Sequence, residues 1–227
     1  MPTVLANGLQ IEVETLGDPS HPPVLLIMGL GMQLVAWPEP FCQALVDAGF
    51  HVIRFDNRDV GLSEKILTRK AVSLPLAALR YFLHLPVAAP YLIDEMAADS
   101  VGVLDALGIQ SAHFVGASLG GMIAQTAAAK YPERCLSLTS IMASSGDRRL
   151  PHASLKVTRL MLSRPPAHAS VEELTEHLIH LFQVIGSPGF PTPLPLMRER
   201  LSAGLRRGYL YVRLSRLSRA PYCLIAA

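Results

Sequence analysis

Four short, largely apolar runs separated by helix-like stretches constrain this chain more than any other feature. They are Val24-Leu25-Leu26-Ile27, His51-Val52-Ile53-Arg54-Phe55, His113-Phe114-Val115 and Leu136-Ser137-Leu138-Thr139-Ser140-Ile141. Runs of this kind read as strands covered on both faces. Between them, Phe41, Leu45 and Val46 precede Gly49, while Ile93, Met96, Ala97, Val101 and Leu104 keep helical spacing up to Gly108. Each glycine suits a helix C-terminal cap. Strands alternating with helices predict an α/β fold: a mostly parallel sheet with helices on both faces, binding its ligands at the carboxyl ends of the strands.

Two flanking segments break the alternation. Thr3-Val4-Leu5-Ala6 and Leu9-Gln10-Ile11-Glu12-Val13-Glu14 bracket Asn7-Gly8, a dipeptide suited to a type I′ turn, which predicts a hairpin. Its second arm alternates Leu9, Ile11 and Val13 with Gln10, Glu12 and Glu14, as at an antiparallel edge with one wet face. From Gly146 onward, Pro151, Pro165, Pro166, Pro188, Pro191, Pro193 and Pro195 punctuate the chain. One clear helix lies among them, opened by the capping box Ser170-Val171-Glu172-Glu173 and carrying Leu174, Leu178 and Leu181 on a stripe. The expected organisation is a core over 1–145, an inserted helical lid over 146–207, and the incomplete start of a C-terminal core over 208–227.

Length and charge narrow the function. A chain of 227 residues, 50% hydrophobic and 17% charged, holds one domain with a sizeable core. Twenty Lys+Arg against eighteen Asp+Glu leave a net charge of +2, too balanced for a nucleic-acid binder. The exception is a basic stretch, Arg198, Arg200, Arg206, Arg207, Arg213, Arg216 and Arg219, opposed only by Glu199. No run reaches the roughly 18 apolar residues of a membrane span. Leu74 to Ile93, interrupted by Arg80, His84 and three prolines, reads as amphipathic or interface material. The N-terminus lacks the pattern of a secretory signal, and Cys42, Cys135 and Cys223 have no metal-like spacing, so reduced thiols and a cytoplasmic setting are expected.

The chemistry concentrates at Gly116-Ala117-Ser118-Leu119-Gly120, a Gly-x-Ser-x-Gly pattern with an apolar strand leading in and the proline-free Leu119–Lys130 leading out. A serine between strand and helix must turn sharply, and the glycines two residues away remove Cβ atoms that would collide. The hydroxyl is pushed into the open at a helix N-terminus, where the dipole favours negative charge. A second element, Met28-Gly29-Leu30-Gly31, ends an early strand. It is either an ordinary strand-to-helix turn or a loop presenting the Leu30 N–H, beside that of Leu119, to an oxyanion. The third, Asp56-Asn57-Arg58-Asp59-Val60-Gly61-Leu62-Ser63, reads best as a hydrogen-bonded structural turn.

These residues resemble the α/β-hydrolase family, in particular the esterase-like branch that includes the aclacinomycin methylesterases. Gly29-Leu30-Gly31 is similar to the family's oxyanion loop, Asp56 to Ser63 to its Asp-x-Arg-x-x-Gly-x-Ser turn, and Val115 to Gly121 to its nucleophile elbow. The resemblance implies an α/β-hydrolase fold, Ser118 as nucleophile, Leu30 and Leu119 as backbone oxyanion donors, a lid from about Gly146 to Arg207, and no cofactor or metal. The family's order places an acid and then a histidine after the lid. Here Arg219 to Ala227 looks like the start of the post-lid strand, and neither is reached. The chain is thus expected to be C-terminally truncated with its last strands missing. A fragment, a frameshifted product in which Tyr209–Ala227 is out of frame, and a dimer completed in trans all accommodate this.

His152, His168, His177 and His180 fall in the lid region, and His51 and His113 start strands at the end away from the elbow. Asp147, soon after the strand that follows the elbow, is a weak substitute acid. The expected function is hydrolysis of a small-molecule carboxylic ester with a hydrophobic or moderately bulky acyl or alcohol group through an acyl-enzyme, with no nucleic acid or membrane span involved and dimerisation through an exposed sheet edge as an option. The apolar Leu155, Val157, Leu160, Met161 and Leu162 favour the hydrophobic substrate. The alternatives are a non-catalytic binding protein that has lost its proton relay and a cofactor-independent peroxidase.

Overall fold

The computed structural model describes residues 3–66, 80, 83, 85, 89–147, 149–150, 154–163 and 169–214. Among these residues the chain forms two compact units, 3–146 and 147–214. In the first unit, six strands, β1 (Thr3–Ala6), β2 (Leu9–Leu16), β3 (Pro23–Ile27), β4 (His51–Phe55), β5 (Ala112–Ala117) and β6 (Cys135–Ile141), lie in the order β1-β2-β4-β3-β5-β6. β2 runs antiparallel to both its neighbours, and the β4-β3-β5-β6 block is parallel. The helices are α1 (Glu39–Asp47), α2 (Ile93–Ala106) and α3 (Leu119–Lys130). All four apolar runs are therefore strands, and the fold class follows the sequence reading.

The period-two alternation of strand side chains sorts the core into two layers. Leu25, Ile27, Ile53, Phe55 and Phe114 point to one face, where Met96, Ala97 and Leu104 of α2 and Ile123, Ala124 and Ala127 of α3 cover them. Val24, Leu26, Val52 and Ala117 point to the other, against Cys42 of α1 and against Trp37. α1 and α2 both end as expected. Phe50 N–H donates to Leu45 O (3.1 Å) and Gly49 N–H to Val46 O (2.9 Å), and Ile109 and Gly108 repeat the pattern on Leu104 and Asp105. These are the paired bonds of a Schellman cap.

Two expectations for strand exposure need correcting. Glu12 is buried and not on a wet face, because β2 is an inner strand with β1 on one side and β4 on the other. β6 was expected to be covered on both faces, yet Leu136 is 53% and Leu138 42% exposed. Among the described residues β6 is an outer strand, paired with β5 on one side and with no strand beyond it.

Two buried arginines of this unit are paired with carboxylates. Arg54, in the middle of β4, donates to Glu14 Oε2 of β2 (2.7 Å), Glu39 Oε2 of α1 (3.0 Å) and the Trp37 carbonyl (3.1 Å). Arg58 donates to both oxygens of Asp99 on α2, each at 2.6 Å, and its guanidinium lies 5.0 Å from the centroid of the Tyr91 ring. Asn7 of the hairpin turn donates to the same Asp99 carboxylate at 2.9 Å. One buried carboxylate thus ties together the hairpin, the turn after β4 and α2.

The second unit holds three helices where the sequence showed one: α4 (Leu155–Leu162), α5 (Val171–Ile185) and α6 (Leu194–Leu214). α5 has the expected capping box, Glu173 N–H on Ser170 Oγ (3.1 Å) and Ser170 N–H on Glu173 Oε2 (2.7 Å). Its buried residues are Thr175 and Ile179, with Leu174, Leu178 and Leu181 half-buried beside them. Ion pairs join α6 to α5, Arg198 to Glu176 and Arg206 to Glu172. α6 runs past residue 207, where the lid was expected to end. Residues 74–79 and 86–88 of the amphipathic stretch, and the post-lid strand read at Arg219–Ala227, lie outside the described residues. Among the described residues no helix is long and apolar enough to cross a membrane.

Removing one partner of a buried ion pair leaves the other uncompensated, at about 3–5 kcal/mol. Asp99→Ala is expected to lower unfolding stability by about that much, read from the urea midpoint, since Asp99 is 2% and Arg58 6% exposed.

Candidate active site

β5 delivers the chain to Ser118, and α3 begins at the next residue. Ser118 sits at φ 54°, ψ −121°, a conformation outside the ordinary left-handed helical well and unusual for a residue with a side chain. Its backbone is held on both sides: the N–H donates to Ile141 O of β6 (2.9 Å), and the carbonyl accepts from Gly121 (2.9 Å) and Met122 (3.2 Å). A serine at a helix N-cap ordinarily turns its oxygen back onto the first helical amides. Ser118 does not, and the residue is exposed. The hydroxyl therefore stands clear at the positive end of α3.

The glycines of the elbow are demanded by contact distance. A Cβ at Gly116 would stand 2.1 Å from Gly120 O, and one at Gly120 would stand 2.0 Å from Ile27 O and 2.8 Å from Met28 O. At Gly121 it would meet Ala143 Cβ at 2.5 Å. Strand β3, strand β5 and the start of α3 thus touch backbone to backbone.

Gly29 belongs to the same contact. A Cβ there would lie 3.1 Å from Ala117 O, 3.2 Å from Ser118 Cβ and 3.7 Å from Ser118 Oγ. The Met28–Gly31 loop is thereby brought against the serine. Gly31 has φ 68°, and Met32 N–H closes the loop on Gly29 O (3.2 Å). Among the described residues the Leu30 and Leu119 amides donate to no partner. Leu30 presents its side chain to solvent, and Leu119 is packed in the core on the α2–α3 side.

The Asp56–Ser63 turn is hydrogen-bonded throughout. Asp56 Oδ2 accepts from Leu62 N–H (2.9 Å), and Ser63 Oγ donates to Asp56 O (2.6 Å) while accepting from Glu12 N–H (2.9 Å). Two of its side chains reach further than the sequence reading foresaw. Asp56 Oδ1 accepts from Leu34 N–H at 2.7 Å, and Asn57 Nδ2 donates to Met28 O at 2.8 Å. The turn thus grips both ends of the loop that lies on Ser118. Asn57 and Met28 are 29 positions apart in the chain, and no local pattern signals their pairing.

The remaining candidates lie elsewhere. Asp147 accepts from the Arg149 side chain, which with the Arg149 amide holds its carboxyl below the usual carboxylate range. His51 and His113 are at the amino ends of β4 and β5, opposite to the elbow. Burial pushes the His51 imidazole below its ordinary pKa, and His113 Nδ1 shares a hydrogen bond with Ser137 Oγ at 2.8 Å. His177 and His180 are on α5 of the second unit, while His84, His152 and His168 lie outside the described residues. Burial also raises the Cys42 thiol pKa, as expected of an inert core cysteine. Among the described residues no group of three or more His, Cys, Asp or Glu could hold a metal ion.

A mostly parallel sheet with a serine at a glycine-framed strand–helix elbow is the architecture of an α/β hydrolase, and comparison with known proteins agrees. The sequence profile described as the alpha/beta hydrolase fold matches residues 22–167, and this chain belongs to that family. Similar curated proteins include rhodomycin D methylesterase DnrP of Streptomyces peucetius, 32% identical over 90% of this chain and 70% of the relative. Rhodomycin D methylesterase DauP of Streptomyces sp. (strain C5) is 31% identical over the same shares. Among solved structures, a meta-cleavage product hydrolase from Pseudomonas fluorescens IP01 superposes with a TM-score of 0.66 over 100% of this chain and 73% of its own. At 20% identity it speaks for the fold.

Because the atoms facing Gly120 are main-chain carbonyls, β3 itself must shift to admit a methyl group. Gly120→Ala is expected to cost about 1–3 kcal/mol, the range for overpacking, measured by urea denaturation.

Proposed function

We propose that this chain hydrolyses carboxylic esters with Ser118 as nucleophile and the Leu30 and Leu119 amides as the oxyanion hole. The observation that carries the reading is the exposed Ser118, held at positive φ with the Gly29 backbone against its Cβ. In this reading Ser118 Oγ attacks the ester carbonyl carbon and passes its proton to a general base. The carbonyl oxygen gathers negative charge between the two amides and the α3 dipole. Collapse expels the alcohol, and water then releases the acid from the acyl-enzyme.

The two Streptomyces relatives are named as methylesterases. A small methyl or alkyl ester of a hydrophobic acid is accordingly the substrate class proposed here, with α4–α6 as the lid that selects it and no cofactor. The reading includes a cytoplasmic setting and, along the exposed β6 edge, pairing with a second copy. A second reading, a binding protein that keeps the fold without the chemistry, draws on one observation: among the described residues no hydrogen bond joins Ser118 Oγ to a histidine.

A fluorophosphonate probe separates the two. The esterase reading expects stoichiometric labelling that disappears in Ser118→Ala, with p-nitrophenyl butyrate hydrolysis falling towards background, on the scale of the about 10⁶-fold loss known for a serine nucleophile. Folded, monodisperse protein that takes no label overturns it in favour of the binding protein.

A further inference from the structure

We infer that Asn57 is a positioning residue for the oxyanion hole. This rests on the esterase reading of Ser118 and names the group that sets the Leu30 amide at its working distance.

An oxyanion donor works by being fixed before charge develops, so that no reorganisation is needed during the reaction. The Leu119 amide meets that condition on its own, because it is the first residue of α3 and is flanked by the Ser118 carbonyl bonds to Gly121 and Met122. The Leu30 amide does not. It lies in the 28–34 loop, where a 3.2 Å bond from Met32 N–H to Gly29 O closes a turn ahead of the one-turn 3₁₀ helix Leu34–Ala36.

The loop is held from outside. Asn57 Nδ2 donates to the carbonyl of Met28, two residues before Leu30, and Asp56 Oδ1 accepts from the amide of Leu34, four residues after it. Asp56 is fully buried and Asn57 is 3% exposed, so water does not compete for either bond. Both side chains sit on a support that cannot slide: Asp56 N–H donates to Glu12 O of β2, Asp56 Oδ2 accepts from Leu62, and Arg58 is locked to Asp99 of α2.

The two anchors differ in what they control. Asp56 also closes its own turn, and its loss would loosen the fold. Asn57 spends its amide on the Met28 carbonyl alone among its described side-chain bonds. The peptide plane that carries the Met28 carbonyl orients the next residue, Gly29, whose backbone lies against Ser118 Cβ. In this inference a shift of that plane passes through Gly29 to the following peptide, which carries the Leu30 N–H. Asn57 must donate here: the isosteric aspartate would set a second acceptor against a buried carbonyl.

The test is the inactivation kinetics of the full chain with a fluorophosphonate probe, resolved into kinact and KI. Asn57→Asp is expected to lower kinact at least tenfold, short of the roughly 10²–10³-fold cost of deleting an oxyanion donor outright. KI and the final extent of labelling should stay within about twofold, and Asn57→Ala is measured beside it should aspartate unfold the chain. Asp59→Ala, which removes a bond to Ile66 N–H in the same turn and has no described hydrogen bond to the 28–34 loop, is the structural control and should leave kinact unchanged. Hydrogen–deuterium exchange should show faster exchange across residues 28–34 in the Asn57 variants and none of that change across 112–122. Wild-type labelling matched in rate by the Asn57 variants, or equal loss in the Asp59 control, overturns this inference alone. Wild-type protein that takes no label at Ser118 overturns the esterase reading and this inference with it.

Discussion

The contact between the end of β3 and the start of α3 governs the rest of this structure. Carbonyls of Ile27 and Met28 lie where a Cβ on Gly120 would have to be, and the Gly120 carbonyl lies where one on Gly116 would have to be. Three main-chain segments are thereby packed with no side chain between them. Such packing lets the chain leave a strand, reverse at Ser118 and enter a helix within a single residue. It also brings the loop after β3 to within van der Waals distance of the serine, so one steric condition supplies both the raised hydroxyl and the neighbouring amide.

Around this contact, polar groups do the locating and apolar groups do the holding. The two core layers on either side of the sheet supply non-directional cohesion, which fixes the sheet's place but not the orientation of any peptide plane. Orientation comes from the buried polar turn after β4, where Asp56 and Asn57 bond the loop after β3, Ser63 bonds β2 and Arg58 bonds α2. Buried polar groups of this kind are costly when unpaired, and here every described bond ends on a fixed partner. That accounts for so many charged and amide side chains lying in the interior beside the Ser118 elbow.

How far the sequence discloses this depends on whether the signal is local. The strands and the elbow are local: four apolar runs, Asn7-Gly8 between alternating arms, and Gly-x-Ser-x-Gly ahead of a proline-free segment each carry their own meaning. α5 is announced by its capping box. α6 is not, because Pro191, Pro193 and Pro195 precede or enter it and look like breakers, although proline is tolerated in a first helical turn, where its missing N–H would have no partner. α4 is only eight residues long, too short for periodicity to stand out. Glu12 and β6 depart from their local pattern for a different reason: burial depends on which strand lies next door, and sheet order is not written in any one segment. The Asn57–Met28 bond belongs to the same class.

The bond from Ser118 N–H to Ile141 O joins the elbow to the last residue of the outermost described strand. Outer strands are where a sheet frays first. Opening of β6 at its carboxyl end therefore breaks the strand-side bond of the Ser118 main chain while the helix-side bonds to Gly121 and Met122 remain, so the elbow is tethered to β6 through one amide and to its own helix through two.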